Sequence, residues 1–273
     1  MKKRSIALCW IVGILIIAIT ALPFYVIFNL SIRTINDLGS KLRLPSNFNW
    51  SNYSAAFSDI SLWRGFANSF AVTIMSVVLI ILLSSMAAYG LSRARTQLSK
   101  YIRTVNLTVM MFPAVTLLVG TYSLMVSMKL VNTLHGLALL TAATGIPAAL
   151  FLYSSFMVSV PRDLDEAAEI DGAGILTTFF RIIFPQLKSI TITQVIISAI
   201  GCWNDYLMPM YLLQNNKKHT LILVIKSAFN SFNGVSNLPL AAATCVIGLL
   251  PIIVFYLCLQ KYIIKGQIEG ISK

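Results

Sequence analysis

The chemically richest part of the sequence is a charged segment, 159–188, that lies between long apolar stretches. It reads SVPRDLDEAAEIDGAGILTTFFRIIFPQLK, with five carboxylates and three basic side chains. Catalysis would need a nucleophile with a base, two converging carboxylates or a cluster of metal ligands, and the sequence offers none of these. It also has no GxxxxGK[ST] loop for nucleotide phosphates. The segment therefore predicts partner recognition, and we expect this chain to have no catalytic residue, no metal site and no bound cofactor.

The order of residues in this segment predicts two short helices separated by a turn. Acidic residues follow Pro161 at once, and a helix N-terminus favours negative charge. Gly172 is the expected end of the first helix, because glycine readily adopts the left-handed conformation that a helix terminus requires. A second amphipathic stretch carries Phe179, Ile182 and Ile183, and Pro185 is expected to close it.

One face of the first helix is expected to meet another surface. Helical spacing places four residues on it: Leu164, Ala167, Ala168 and Asp171. Small alanine side chains permit close approach, so we interpret the segment as a rigid knob that docks on a cytoplasmic partner. The alternative is a segment that lies flat on the inner leaflet. The carboxylates disfavour that alternative, because the inner leaflet is itself negatively charged.

Composition identifies the surroundings of this segment as a membrane. Of 273 residues, 57% are hydrophobic and only 11% are charged, with a mean hydropathy of +0.80. Soluble domains carry about 25% charged residues. The net charge of +12 is explained by basic residues at the cytoplasmic ends of spans. Since no nucleic-acid-binding motif accompanies that charge, we expect no nucleic-acid partner.

The fold class predicted is all-α, a polytopic bundle of six transmembrane helices in one domain, 1–273. Apolar stretches place the spans at Ile6–Leu30, Gly65–Leu91, Thr104–Ser127, Gly136–Val158, Ile190–Leu213 and Pro239–Tyr262. The first stretch is longer than the apolar part of a signal peptide and lacks a small-residue cleavage site, so we interpret it as a retained span. With both termini cytoplasmic, the inner segments hold 13 of the 21 Lys and Arg residues, as the positive-inside rule requires.

Polar residues within spans mark a candidate solute pathway, because they are costly in lipid and usually face a cavity. Trp203, Asn204, Asp205 and Tyr206 interrupt the fifth span. Hydrogen-bonding and aromatic side chains of this kind suit a sugar. The alternatives are pairing with a neighbouring helix, or a place for Asp205 near the outer end of the span. Weaker candidates are Asn68 in the second span and Tyr122 in the third.

The stretch EAAEIDGAG resembles the EAA loop of binding-protein-dependent ABC importer permeases. The residues in matching register are Glu166, Ala167, Ala168, Asp171, Gly172, Ala173 and Pro185. A further proline of the family pattern is replaced by Lys188. Four other blocks, NSFAVTIMSVVLIILLSSMAAYGLSRAR, LPSNFNWSNYSAAF, WNDYLMPMYLL and QKYIIKGQIEG, are similar to the carbohydrate group, in particular to the smaller permease of the maltose system.

This resemblance implies the rest of a transport machine in a prokaryotic cell membrane. A second, homologous permease would complete the pore as a heterodimer, and two ABC ATPases using ATP and Mg would dock on the EAA coupling loop, about 159–188. A sugar-binding protein would deliver an oligosaccharide from outside. This chain would then be a permease subunit and not an enzyme. The C-terminal tail, 261–273, would either reach the ATPases or remain a disordered tail at the inner surface.

Two other functions stay open at this point. An ABC permease for a non-sugar solute would share the EAA loop but not the sugar-type blocks. An ion-coupled secondary transporter would favour inverted repeats and midplane carboxylates, for which only Asp205 is a candidate. The outer segments 31–64 and 214–238 either rest at the membrane interface or meet an external partner.

Overall fold

The computed structural model describes residues 2–37, 39–94, 96–229 and 237–271, and the regular structure in those ranges is helical. Four helices are long: α1 (Lys2–Ser31), α3 (Ile60–Arg93), α6 (Leu134–Met157) and α13 (Leu238–Ile271). The shorter helices are α2 (Ser51–Ser58), α4 (Gln97–Met110), α5 (Leu118–Ser127), α7 (Asp163–Ile170), α8 (Ile175–Thr178), α9 (Phe184–Gln186), α10 (Lys188–Asn204), α11 (Leu207–Leu212) and α12 (Leu221–Phe229).

Four stretches of the described chain are each long and apolar enough to cross a bilayer as one helix. They are Leu8–Ser31, Ile60–Arg93, Leu134–Met157 and Leu238–Leu257, with mean hydropathies between 1.7 and 2.7. These confirm the first, second, fourth and sixth predicted spans as continuous helices. Two bent helix pairs raise the number of candidate spans to six if each pair crosses once.

The third predicted span, Thr104–Ser127, is wrong as a continuous helix. The chain bends by 94° between Gln97–Met110 and Val115–Ser127. Pro113 lies in the break with extended backbone, φ −61° and ψ 130°, and opens a 3-10 turn at Ala114–Leu117. A proline disfavours helical backbone in the residue before it, so the helix ends although the apolar sequence continues.

The fifth predicted span, Ile190–Leu213, is also divided. Helix α10 begins earlier, at Lys188, and ends at Asn204, because Asp205 is extended (φ −67°, ψ 120°) before α11 begins at Leu207. The bent pair at this place joins Ile175–Gln186 to Lys188–Asn204 at 80°. The C-terminal tail expected at 261–273 is helical as far as Ile271, and residues 272 and 273 lie outside the described part.

The chain divides into two compact units, and the first comprises Met1–Gly65 and Leu221–Ile253. Its segment 31–64 is organised by Arg33, whose side chain is only 2% exposed. The guanidinium of Arg33 forms an ion pair with Asp37 at 3.2 Å and donates to the carbonyls of Gly39, Ser40 and Arg43. The Asn52 amide donates to the Ser31 and Arg33 carbonyls, 2.8 Å each. Segment 31–64 is therefore a folded cap over the end of α1.

The second unit comprises Phe66–Thr220 and Val254–Lys273, and its core joins α3 to α6 through small residues. Ser76 Oγ donates to the Ala138 carbonyl at 3.1 Å, while Ala142 and Ala149 are buried against Ile80. Small residues allow membrane helices to approach closely. The Asn106 amide of α4 donates to the Pro147 carbonyl of α6 at 3.0 Å, so α4 is held against the same helix.

Candidate functional site

The loop between α6 and α10 contains the predicted helix–turn–helix, and its turn is a Schellman motif. Gly172 has a φ of +75°. The Gly172 N–H donates to the Glu169 carbonyl at 3.0 Å, and the Ala173 N–H donates to the Ala168 carbonyl at 2.9 Å, the pair of bonds that defines this helix end. Gly172 is thus confirmed as the end of the first helix, and the turn is fixed by backbone hydrogen bonds.

The acidic residues of α7 divide into an inward and an outward set. Asp163, Asp165 and Glu166 occupy the first turn, where they complement the positive end of the helix dipole. Asp165 is partly buried and faces the chain's own interior, whereas Glu166 and Asp171 are exposed. The exposed carboxylates remain available to basic or hydrogen-bonding groups of a partner.

The predicted common face of α7 is correct only in part. Ala168 is 2% exposed, and Leu164 packs on the core beneath it, whereas Ala167 and Asp171 are exposed. Helical spacing places these four residues on one side of the helix, but it does not indicate which of them face the interior of the chain. The expectation that both alanines meet a partner therefore fails for Ala168, which seats the helix on its own chain.

The second helix does not end at Pro185 as expected. It runs from Ile175 to Gln186 with a π turn at Phe179–Ile183. The Phe184 N–H donates to the Phe179 carbonyl, five residues back. Proline within a helix clashes with the carbonyl four residues earlier, and a wider turn directly before Pro185 accommodates the ring. The helix ends at Leu187, whose side chain is fully buried.

A hydrophobic cluster seats this loop on the ends of α3 and α6. Its buried members are Ala88, Leu150, Tyr153, Met157, Val160, Phe179, Ile183 and Leu187. The phenyl ring of Phe179 packs against Tyr89 of α3, with ring centroids 5.4 Å apart. The Tyr153 hydroxyl bonds to Thr191 Oγ1 of α10 at 3.0 Å. One core therefore connects the loop to three helices of this unit.

A polar clasp, formed by Tyr89, Arg93 and Asp165, joins the loop to α3 at a second place. The Tyr89 hydroxyl donates to one Asp165 oxygen at 2.6 Å, and Arg93 forms an ion pair with the other at 2.8 Å. Arg93 also donates to the Val160 carbonyl at 3.3 Å. A charge-assisted hydrogen bond and an ion pair to a partly buried carboxylate are among the stronger polar contacts, so the clasp fastens α7 to the end of α3.

The outward surface of the loop combines apolar and acidic side chains. Ile170 is 87% exposed, and Ile175 and Leu176 are 76% and 61% exposed. They flank the Gly172 turn, beside the exposed carboxylates of Glu166 and Asp171. Large exposed apolar side chains rimmed by polar groups indicate a protein interaction surface. This arrangement can bind a partner with an apolar pocket and basic neighbours.

The four candidate pathway residues that were predicted within the fifth span lie at the break between α10 and α11. The Trp203 ring packs edge-on against Phe70 of α3, with centroids 4.9 Å apart, and 6.4 Å from Phe66. Asn204 is exposed, and its amide donates back to the Ile200 carbonyl at 3.0 Å. Asp205 accepts from the Met208 N–H at 3.3 Å. Tyr206 follows as the N-cap residue of α11. Trp203, Asn204 and Asp205 thus have structural tasks in helix packing or capping.

The two weaker candidates are tied to the segment that follows α11, residues 214–219. The Asn68 amide donates to the Lys217 and His219 carbonyls at 3.1 and 2.9 Å, and the Gln214 amide donates to the Tyr122 hydroxyl at 3.2 Å. Asn132, with φ +58°, accepts from the Asn215 N–H at 3.1 Å. Asn68 and Tyr122 therefore anchor residues 214–219 to α3 and α5.

Sequence reasoning missed the residues that connect the loop to α3. Tyr89 and Arg93 are four residues apart, so they share a helix face, and that spacing was the available signal. The sequence contains no indication that Asp165 is their partner, because Arg93 and Asp165 are 72 positions apart, with α4, α5 and α6 between them. The sequence also does not indicate that Arg33, among the basic residues of segment 31–64, is the one that organises the cap.

A model of a known protein family matches the larger part of this chain. Residues 80–268 match the family model described as "Binding-protein-dependent transport system inner membrane component". That range includes the end of α3, the clasp, the whole loop 159–188 and the α10–α11 break.

The relatives and solved structures found cover almost the whole chain. The melibiose/raffinose/stachyose import permease protein of Bacillus subtilis is 36% identical over 100% of this chain and 98% of its own length. A probable starch degradation products transport system permease protein of Thermoanaerobacterium thermosulfurigenes is 30% identical over 96% of this chain and 94% of its own. A chain of the crystal structure of a bacterial ABC transporter involved in the import of the acidic polysaccharide alginate superposes with a TM-score of 0.79, at 25% identity over 95% of this chain and 98% of that one. The chain therefore belongs to the family of binding-protein-dependent transport system inner membrane components, the permease subunits of ABC importers.

Proposed function

We propose that this chain is one of two membrane-spanning permease subunits of an ATP-driven importer for oligosaccharides. Relatives that are 36% and 30% identical are named for melibiose, raffinose and stachyose and for starch degradation products, and a multiple sugar-binding transport system permease of Streptococcus mutans is 31% identical. These proteins share oligosaccharide transport across different sugars. The chain would cross the cell membrane of a prokaryote six times, with each bent helix pair counted as one span and both termini cytoplasmic.

The observation that carries this proposal is the preformed loop at 159–188. Its turn is fixed by a Schellman motif, its inner side is buried on a core, and its acidic helix is clasped to α3. An ordinary connection between spans needs none of these contacts. An element that receives a push from another protein does need them, because force passes through it only if it moves as one body with the helices it drives.

The partner at this loop would be a cytoplasmic ABC ATPase. This chain contains no GxxxxGK[ST] loop, so ATP and Mg would be bound by the partner. The apolar side chains of Ile170 and Ile175 would enter a pocket on the ATPase, and Glu166 and Asp171 would meet its basic or donor groups. Ala167, Gly172 and Ala173 would allow close approach, while Ala168 and Pro185 shape the loop from within.

The mechanism that follows is alternating access. Closure of the ATPase pair on ATP would draw this loop towards its counterpart on the second, homologous permease. The clasp and the hydrophobic cluster would pass that movement to α3 and α6. Such a machine requires two arrangements of the helices and a ligand with different affinity for each. An external sugar-binding protein would deliver the ligand to the outward-facing arrangement.

Within the pathway, we assign Trp203, Asn204 and Tyr206 to the sugar. The break between α10 and α11 exposes Asn204, and non-helical backbone at membrane depth is tolerated only where it is buried in protein or lines a cavity. An aromatic face and an amide are groups that bind sugar hydroxyls and ring C–H groups. Asp205 would support this site through its cap on α11.

The test is uptake of labelled sugars by cells that carry or lack this chain. The panel would contain raffinose, stachyose, maltodextrins and arabinooligosaccharides, with an amino acid and a polyamine as non-sugar solutes. We expect uptake of at least one oligosaccharide to depend on the chain, to survive collapse of the proton gradient and to stop when ATP is depleted. Uptake that follows the proton gradient instead, or dependence of a non-sugar solute alone, would contradict the proposal.

A further inference from the structure

Two adjoining cavities open on one side of the second unit, where α3 ends, α4 begins and α6 ends. The larger has a volume of about 630 Å³ and is bordered by Ser92, Ser99 and the first residues after α6, Val158 to Arg162. Four of its lining residues are cationic: Arg93, Lys100, Arg103 and Arg162. No carboxylate belongs to the described lining, so the cavity concentrates positive charge.

The cationic groups of this basic cavity are held in place but are only partly neutralised. Arg103 donates to the Leu91 carbonyl at 3.0 Å, and Arg162 donates to the Ser92 carbonyl at 3.0 Å. Among the described residues, Arg93 is the one of these four cations that has a carboxylate partner, Asp165. The exposed Lys100 ammonium forms no hydrogen bond or ion pair with another described residue. Backbone carbonyls carry partial charge, so an anion entering the cavity would meet an excess of positive charge.

The smaller cavity continues from the basic one and is mainly apolar. It has a volume of about 260 Å³, lies between α4 and α6, and shares Arg103 and Val158 with its neighbour. Leu107 and Phe151 form its sides, and both are about half exposed. Ser154 Oγ, also in its lining, is buried without a hydrogen-bond partner among the described residues. The groove therefore combines an apolar wall with one unsatisfied hydroxyl.

We propose that the two cavities together bind one anionic phospholipid of the inner leaflet. The phosphate would occupy the basic cavity beside Lys100, Arg103 and Arg162. An acyl chain would lie in the groove between α4 and α6, with Ser154 available to an ester oxygen. Basic pockets between membrane helices on the cytoplasmic side suit such headgroups, and a free anion would leave the apolar groove unused. The assignment of this lipid to the inner leaflet rests on the orientation given under the proposed function. The binding itself does not depend on that orientation.

The test is native mass spectrometry of the full-length chain, purified in mild detergent, with added phosphatidylglycerol or phosphatidylcholine. Lys100→Gln removes the cation without a described partner and leaves the helix contacts of the arginines in place. Lys188→Gln is the matched control, because Lys188 is also exposed but lies outside both cavities. A second variant, Ser155→Trp, fills the groove and leaves every charge unchanged.

We expect one phosphatidylglycerol to be retained in preference to phosphatidylcholine. Lys100→Gln should weaken its binding about fivefold, the effect of one basic residue near an anionic surface, while Lys188→Gln leaves it unchanged. Ser155→Trp should also weaken it, and millimolar inorganic phosphate should not displace the lipid. Equal retention of both lipids, an equal effect of the two lysine variants, or displacement by phosphate alone would overturn the proposal. Because the readout is lipid retention, failure here is distinguishable from failure of the transport proposal.

Discussion

The left-handed backbone at Gly172 allows a sharp test of the docking loop. A Cβ at this position would meet no heavy atom within 4 Å, so Gly172→Ala introduces strain without a clash. Left-handed backbone costs an L-residue about 1–2 kcal/mol. If the loop relieves that strain by opening the Schellman turn, the equilibrium constant between the formed and the opened turn falls by about 5–30-fold. We therefore expect a several-fold loss of transport with normal expression and membrane insertion.

Two further variants separate backbone strain from side-chain bulk. Gly174→Ala adds the same methyl group two residues away, in open space, where φ is −74° and ψ is 160°. It should transport like the parent protein, since any residue adopts that conformation. Gly172→Asn should recover most of the activity, because asparagine tolerates the left-handed region.

The assay is sugar uptake into proteoliposomes that contain the permease pair and its ATPases, with ATP hydrolysis measured in parallel. The expected signature for Gly172→Ala is less sugar transported per ATP hydrolysed, at unchanged KM for the sugar. Normal transport by Gly172→Ala, or an equal loss in Gly174→Ala, would refute the reasoning.

Three other perturbations test separate parts of the structure. Asp165→Asn leaves Arg93 without its carboxylate partner at the clasp. We therefore expect a loss of about 1–3 kcal/mol in the free energy of unfolding and fewer sugar molecules transported per ATP. Wild-type values for both quantities would contradict the role of the clasp. Arg33→Met removes the centre of the cap and leaves Asp37, whose side chain is 25% exposed, without its ion-pair partner, at a cost of about 1–3 kcal/mol. It should make segment 31–64 sensitive to limited proteolysis, whereas an unchanged digestion pattern would contradict its role. Asp205→Asn keeps an acceptor for the Met208 N–H and should retain transport, whereas Asp205→Ala loses a helix cap worth about 1 kcal/mol. An equal loss of transport in both variants would indicate that the charge of Asp205 itself is required.

The sequence was sufficient to locate four long candidate spans, because a continuous apolar run of about 20 residues can cross a bilayer only as a helix that satisfies its own backbone hydrogen bonds. It failed at the third and fifth spans for a physical reason. Hydropathy records which residues tolerate lipid, not whether the backbone between them stays straight. Pro113 and Asp205 were visible in the sequence, but prolines are tolerated inside membrane helices, as Pro147 is inside α6. Whether such a residue breaks a helix depends on its neighbours.

For the loop at 159–188, too, some features could be predicted from the sequence and others could not. Gly172 could be predicted, since a helix end in left-handed backbone selects glycine through local sterics. The burial of Ala168 and the clasp at Asp165 could not, because both depend on contacts with α3 and α6 that are distant in sequence. Local signals thus predicted the shape of the knob, and tertiary contacts decided which of its faces is available to a partner.

We propose that the outward face of this loop binds an ATPase. In the experiment that tests this contact directly, Ile170, which is 87% exposed, is replaced with photoreactive benzoylphenylalanine in the assembled transporter. Leu98 of α4, an apolar residue with 65% exposure outside the loop, is the control position. We expect an adduct with the ATPase from position 170 and none from position 98. No adduct from position 170, or equal adducts from both positions, would contradict it.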